Sequence, residues 1–127
     1  EYNIKIEEFT IFIDIKGESA GTLIGYRGET LNAMQSILSS IANRNFNNKI
    51  RLILDIENYR EKRAKKLEEL AEKISKTVLR TGKSITLEPM TAYERKIIHS
   101  KLQENTRVET HSIGEGDNRR IVISKIK

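Results

Sequence analysis

The stretch GTLIGYRGETLNAMQ, residues 21–35, decides how the first half of this chain folds. It places glycines at positions 25 and 28 between two segments whose apolar residues recur at helical spacing. Glycine adopts backbone conformations that other residues rarely adopt and, having no side chain, lets a phosphate group come close. The stretch therefore predicts a tight turn between a short helix over 18–24 and a longer helix that begins after residue 28.

Spacing alone leaves two interpretations of this turn open. The N-terminus of the second helix would offer free N–H groups and the positive end of the helix dipole to a phosphate, and Arg27 adds a positive charge. Two glycines three residues apart serve equally well in an ordinary helix-to-helix turn. Glu29 is also able to satisfy the helix N-terminus from within the chain.

The segments on either side of the turn predict strands. Residues 2–6 and 9–15 alternate apolar and polar side chains, which predicts two successive strands that share one buried face. Apolar residues at helical spacing continue over 31–42, and the Asn-rich stretch 43–48 ends that helix. Alternation returns over 50–56 and predicts a third strand, so the first half has the order ββααβ.

The second half predicts the order αβαββ. Apolar residues at helical spacing over 57–81 indicate a long amphipathic helix that Gly82 ends, and this helix carries a lysine-rich opposite side. Thr91 and Glu94 form a capping-box pattern at the start of another helix. The remaining predicted elements are this helix to about residue 103 and strands over 85–87, 108–111 and 120–126.

The two halves differ in charge. The 127 residues carry 23 basic and 18 acidic side chains, a formal net charge of +5. Residues 1–56 hold six basic and seven acidic side chains, whereas residues 57–127 hold seventeen and eleven. A broad contact with a polyanion is therefore expected in the second half, with an ordinary solvated basic surface as the alternative.

Composition excludes several classes of protein. The chain has no cysteine, which excludes disulfides, zinc ribbons and thiol chemistry and fits a cytoplasmic location. No apolar run approaches the roughly 20 residues of a membrane span. Because the chain opens on Glu1 without an initiator Met, we expect that a region upstream is missing.

The sequence does not predict an enzyme. An enzyme would use His99 or His111 as a general base with Glu94 as its acid partner, but no nucleophile accompanies these residues. The two histidines lie twelve residues apart on different elements, which is poor spacing for a metal site. We therefore expect no catalytic residue, no metal and no cofactor.

Arg95 and His99 form the second candidate contact. They lie four residues apart in the capped helix and project from nearly one face, while Tyr93 and Ile97 are predicted to face a core. Such a pair suits phosphates or bases. The alternative is an Arg used for surface ion pairing and a His that packs.

The segment GTLIGYRGETLNAMQ closely resembles the KH motif, and two strands before it with one after resemble the type II KH order. The resemblance implies that the loop Gly25-Tyr26-Arg27-Gly28 clamps a single strand of nucleic acid. Two departures stand out. Tyr26 occupies a position where a basic residue is common, and the helix expected before the first strand is absent.

Three further segments resemble the small single-stranded nucleic-acid-binding domain named for its Arg-x-x-x-His signature. They are DIENYREKR (55–63), LEPMTAYERKIIH (87–99) and SIGEGDNRR (112–120). The resemblance implies an α+β protein of two small α/β-sandwich domains, a type II-like KH domain over 1–55 and the second domain over 56–127.

The same resemblance implies a set of nucleic-acid-binding residues in the second domain. Arg95 and His99 would be the signature pair, with Arg60, Arg63 and Arg119 as further contacts. The family's late loop is expected to carry a proline before its arginine pair, and this chain has Gly-Asp-Asn there instead.

A KH domain followed directly by this domain is the architecture of the bacterial Jag (SpoIIIJ-associated) family. The resemblance implies a protein that binds single-stranded RNA, with single-stranded DNA as the alternative, and that acts as a post-transcriptional regulator connected with cell shape, division or sporulation. The alternative function is an interaction adaptor, whose implied partners are a membrane insertase and a protein made of a KH domain alone.

Overall fold

The structure is a computed structural model that describes residues 1–18, 20–44 and 49–127. Their contacts divide the chain into unit 1, Glu1–Arg63, and unit 2, Ala64–Lys127. Each unit combines a three-stranded sheet with helices, which confirms the predicted α+β class.

Unit 1 has one sheet of order β1-β2-β3, in which β1 is antiparallel to β2 and β2 is parallel to β3. A parallel pair needs a crossover connection, and α1 with the turns before it forms that crossover. The elements are β1 (Tyr2–Glu7), β2 (Thr10–Ile15), 3₁₀ turns at Ala20–Leu23 and Tyr26–Gly28, α1 (Glu29–Asn43) and β3 (Arg51–Ile56).

The predicted short helix over 18–24 is only a 3₁₀ turn, Ala20–Leu23. Glycines at 21 and 25 disfavour a regular α-helix in so short a segment. Ser19 lies outside the described residues. The order along unit 1 otherwise agrees with the predicted one, with α1 following directly on the glycine loop.

The core of unit 1 lies between α1 and the sheet. Leu31 of α1 and Leu54 and Ile56 of β3 are fully buried. The prediction that the first two strands share one buried face is wrong for β1. Ile4 pairs with Ile13 in the register, yet Ile4 is 50% exposed. The reason is position, because β1 lies at the edge of the sheet away from β3, over which α1 packs.

Asn43 explains how α1 ends. Its Nδ2 donates to the carbonyls of Ser39 (2.8 Å) and Ile50 (2.9 Å), and its Oδ1 accepts from the Ile50 N–H (2.6 Å). The side chain therefore joins the last turn of α1 to the residue before β3. The predicted Asn-rich helix end continues into residues 45–48, which lie outside the described residues.

Unit 2 has an antiparallel sheet of order β4-β6-β5, which agrees with the predicted αβαββ order. The first five residues of its long helix, α2, belong to unit 1. The elements are α2 (Tyr59–Thr81), β4 (Ile85–Thr86), α3 (Ala92–Leu102), β5 (Val108–Ile113), a 3₁₀ turn at Gly116–Asn118 and β6 (Arg120–Lys125).

The predicted ends of the unit 2 helices are confirmed. Gly82 follows α2 with a φ of 75° and donates its N–H to the Val78 carbonyl at 2.8 Å. Thr91 precedes α3, and its Oγ1 accepts from the Glu94 N–H at 3.3 Å. Fully buried residues from both helices and β6 form the core, namely Ala71, Val78, Ile98, Ile121 and Ile123.

The core-facing side of α3 differs from the prediction. Tyr93, predicted to face the core, is 60% exposed, whereas Glu94, Ile98 and Leu102 are buried. The buried stripe follows the i, i+4, i+8 series that begins at Glu94, and Ile97 lies half-buried at its margin. In the part of the chain that the structure describes, no helix is both long and apolar enough to cross a membrane.

Candidate nucleic-acid interface

The backbone of the glycine loop of unit 1 has a positive φ at three of its four residues. The φ angles are 74° at Gly25, 55° at Arg27 and 79° at Gly28. A Cβ on Gly28 would lie 2.7 Å from Cε1 of Tyr59, and a Cβ on Gly25 would lie 3.0 Å from the backbone nitrogen of Thr30. Both glycines are therefore needed for space as well as for conformation.

The two middle residues of the loop form a cation and ring pair. Tyr26 is 68% exposed, and the guanidinium carbon of Arg27 lies 4.9 Å from the centroid of its ring. An exposed ring suits a stacked base, and a guanidinium suits a phosphate. The helix α1 begins immediately after the loop, and its N-cap residue, Gly28, has no side chain that could accept a hydrogen bond from the first turn. The backbone N–H groups of Glu29 and Leu31 donate to the carbonyls of Tyr26 and Ile24, so the loop itself satisfies these donors of the first turn.

Arg60 is held inside unit 1. Its Nε donates to the Leu54 carbonyl at 2.8 Å, and its two terminal nitrogens donate to Asn32 Oδ1 (3.1 Å) and Gln35 Oε1 (2.8 Å). The Gln35 oxygen also accepts from the Leu54 N–H at 2.9 Å. These bonds support a structural role for Arg60, joining α2 to α1 and β3. Arg63 is half-buried one turn further along α2.

We expect Arg60→Ala to lower the free energy of unfolding by about 2–4 kcal/mol, since it removes three hydrogen bonds of a charged group and takes that donor from Asn32 Oδ1 and the Leu54 carbonyl. Arg51→Ala is the control, because Arg51 is exposed on the edge strand β3. Urea denaturation of both variants measures the difference. Equal stabilities would contradict a structural role for Arg60.

His99 of unit 2 is held between two hydroxyl groups of β5. Its Nδ1 lies 2.6 Å from Thr110 Oγ1, and its Nε2 lies 3.2 Å from Ser112 Oγ. Thr110 and Ser112 are two residues apart and share one face of the strand. Because a hydroxyl both donates and accepts, either neutral tautomer of the ring satisfies both contacts. The imidazole is thus fixed in orientation.

Two arginines lie near this histidine. Arg95 donates to the Met90 carbonyl at 2.8 Å, and Arg119 donates to the Gly114 carbonyl at 2.7 Å. Both are half-buried, and each contact uses one of the five N–H donors of a guanidinium. The structure therefore brings together three predicted site residues in unit 2, namely Arg95, His99 and Arg119. The other predicted site residues, which are the glycine loop, Arg60 and Arg63, belong to unit 1.

The surroundings of His99 lower its pKa. Burial of the ring is the largest cause, and the positive charges of Arg95, Arg119 and His111 act in the same direction. A neutral ring adds no charge to a phosphate contact. His99 therefore contributes shape and hydrogen bonding, while the nearby positive charge comes from the two arginines.

We expect the pKa of His99 in the folded protein to lie below the ordinary histidine value of 6.5. Since the unfolded chain then binds the extra proton more readily, the contribution of His99 to stability is present above pH 6.5 and is lost as the pH falls through the folded pKa. The ring proton shifts of His99, followed by NMR in the native and the urea-unfolded chain, measure both values. A higher pKa in the folded chain would contradict the assignment.

Sequence reasoning missed the residues that position this site. Tyr59 limits the space at Gly28, Asn32 and Gln35 hold Arg60, and Thr110 and Ser112 hold His99. Alternation along β5 would have placed Thr110 and Ser112 on one face. No signal in the sequence links that face to His99. Over residues 1–18, 20–44 and 49–127, no group of three His, Asp or Glu could hold a metal ion.

Two family models match this chain. A model described as the KH domain of KhpA/KhpB matches residues 1–56, and a model of the domain named for its Arg-x-x-x-His signature matches residues 65–125. The first match contains the whole glycine loop. The second contains Arg95, His99 and Arg119, while Arg60 and Arg63 lie between the two matches.

Several curated proteins are similar along nearly the whole chain. The RNA-binding protein KhpB of Clostridium symbiosum is 45% identical over 124 residues, which are 98% of this chain and 55% of that protein. KhpB of Bacillus subtilis is 47% identical over 117 residues, 91% of this chain and 56% of that protein. KhpB of Streptococcus pneumoniae is 31% identical over 114 residues, 90% of this chain and 35% of that protein. The chain thus spans about half the length of the first two relatives.

Proposed function

The chain belongs to the KhpB/Jag family, in which a KH domain precedes an Arg-x-x-x-His domain, and on that premise we propose that it binds RNA, preferring single strands. The geometry of the glycine loop carries this proposal. Its backbone leaves no room for a side chain at either glycine, and it presents Arg27 and the exposed Tyr26 together. The name of these relatives, RNA-binding protein KhpB, agrees with it.

The two units would contribute differently. In unit 1, Arg27 would bind a phosphate while Tyr26 stacks on a base. In unit 2, Arg95 and Arg119 would bind phosphates beside the fixed ring of His99. Single strands are preferred because a paired base cannot reach an exposed ring.

A binding titration tests the proposal. Fluorescence anisotropy would compare a labelled single-stranded RNA of about 16 nucleotides with its DNA equivalent and with the RNA duplex. We expect the single-stranded RNA to bind most tightly and its affinity to fall as salt rises. Absence of binding to every probe at about 50 mM salt would overturn the proposal. Tighter binding of the duplex would overturn the preference for single strands.

We propose further that the bound RNAs are transcripts whose use the protein regulates. Ultraviolet crosslinking in cells, followed by sequencing of the bound RNA, would identify them. Changed abundance or translation of these transcripts in cells that carry a Tyr26→Asp, Arg27→Asp variant would support regulation. Unchanged levels of every crosslinked transcript would overturn it.

A further inference from the structure

The exposed side of α2 carries a row of positive charges within unit 2. The row consists of Lys66, Lys73, Lys76 and Arg80, all of them exposed, and it lies opposite the buried stripe of the helix. Lys66, Lys73 and Arg80 follow one another at intervals of seven residues, or about 10.5 Å of helix rise. Seven residues are close to two turns, so the three side chains line up along the helix. We call these four residues the cationic row.

The cationic row outnumbers the carboxylates on its side of α2. Among the residues that the structure describes, no member of the row has a carboxylate oxygen within 4.0 Å, although Glu69 lies on the same side of α2. Glu68 and Glu72 pair instead with Lys101 of α3, at 3.9 and 3.1 Å. The row therefore keeps an excess of positive charge. Like charges this close destabilise a helix slightly, and an anionic ligand would relieve that cost.

The chemistry of the row favours phosphate over bases. From Ala64 to Thr81, α2 contains no aromatic residue on which a base could stack, and three of the four cations are lysines. A lysine ammonium acts as a point charge without the planar fork that selects base edges. The row can therefore bind a phosphodiester backbone without reading its sequence.

We propose that the cationic row is a second RNA contact, separate in kind from the glycine loop, that binds the phosphodiester backbone of single-stranded or duplex RNA regardless of sequence. The inference rests on the proposed RNA binding and extends it. The glycine loop, with Arg95 and Arg119, would provide the preference for single strands. The cationic row would add affinity that depends strongly on salt.

A triple variant tests the row against a matched control. Lys66→Gln, Lys73→Gln and Arg80→Gln remove three charges from the row, and Lys5→Gln, Lys49→Gln and Arg51→Gln remove three exposed charges from unit 1. We expect the row variant to lose about tenfold or more in RNA affinity at about 0.1 M salt. Its salt slope should fall by about 2 on single strands and by nearly 3 on duplex. The control should change both quantities much less.

The outcomes separate this inference from the proposed function. If the wild-type protein binds no RNA, the proposed function fails and the inference fails with it. If the wild-type protein binds RNA and both triple variants weaken it equally, only the inference fails. Vesicles containing phosphatidylserine provide the second arm. Loss of vesicle binding in the row variant, with RNA binding unchanged, would overturn the inference and assign the row to anionic lipid.

Discussion

Replacing Gly28 with alanine is expected to lower the free energy of unfolding by about 2–5 kcal/mol, which urea denaturation measures. The φ of 79° costs an L-residue about 1–2 kcal/mol. The new Cβ would also lie 2.7 Å from Cε1 of Tyr59, whose ring packs against the core of unit 1. Such overpacking costs about 1–3 kcal/mol. Because the ring cannot withdraw freely, the loop should distort and RNA binding should weaken as well.

Gly82→Ala is the matched control for this prediction. Gly82 has a φ of 75°, and a Cβ there would meet nothing within 4 Å. The control therefore carries the conformational cost without the steric contact. If Gly28→Ala and Gly82→Ala destabilise the chain equally, Tyr59 does not restrict the loop. Adding Tyr59→Ala to each variant completes a double-mutant cycle. We expect Tyr59→Ala to be coupled in free energy to Gly28→Ala and not to Gly82→Ala.

The double variant Tyr26→Asp, Arg27→Asp is expected to weaken RNA binding by about 100-fold at low salt, because two carboxylates would stand beside the phosphates in place of a cation and a ring. Removing the ring alone lowers the binding free energy by about 1–3 kcal/mol, because a base can no longer stack on it. Since neither side chain belongs to the core of unit 1, the fold should persist. Anisotropy titration measures the affinity, and circular dichroism monitors the fold.

The control for charge is Ser40→Glu with Lys49→Glu. It changes the net charge by the same amount, and it places the new carboxylates at exposed positions far along α1 and beyond it. We expect this control to weaken binding by no more than a few-fold. An equal loss in both double variants would mean that net charge alone, and not the loop, governs binding.

Local patterns were sufficient to predict most of the elements. Helical spacing located α1 and α2, and Thr91 and Gly82 marked helix ends correctly, because caps depend on residues only a few positions apart. Alternation located β1, but it could not predict that β1 would be exposed. Burial of an edge strand depends on how far a helix extends over the sheet, which periodicity does not encode.

The candidate site was predictable only in part. The glycine loop was identifiable because its conformation needs specific residues at fixed spacing. The structural role of Arg60 was not predictable, because its partners Asn32 and Gln35 are 28 and 25 residues away in sequence. An arginine in a basic segment is equally consistent with a ligand contact and with a structural bond. Only the hydrogen bonds of Arg60 to Asn32 and Gln35 distinguish the two roles.

The crossover of unit 1 has a consequence for the order of folding. Strands β1 and β2 are separated by two residues and can pair locally, whereas residues 16–50 separate β2 from its parallel partner β3. Pairing across such a distance is slow, because the intervening chain must first lose its freedom. The glycine loop lies within that intervening chain. We therefore expect the loop to reach its final shape in the same late step that completes the sheet, so that the part of unit 1 proposed to bind RNA is among the last to become ordered.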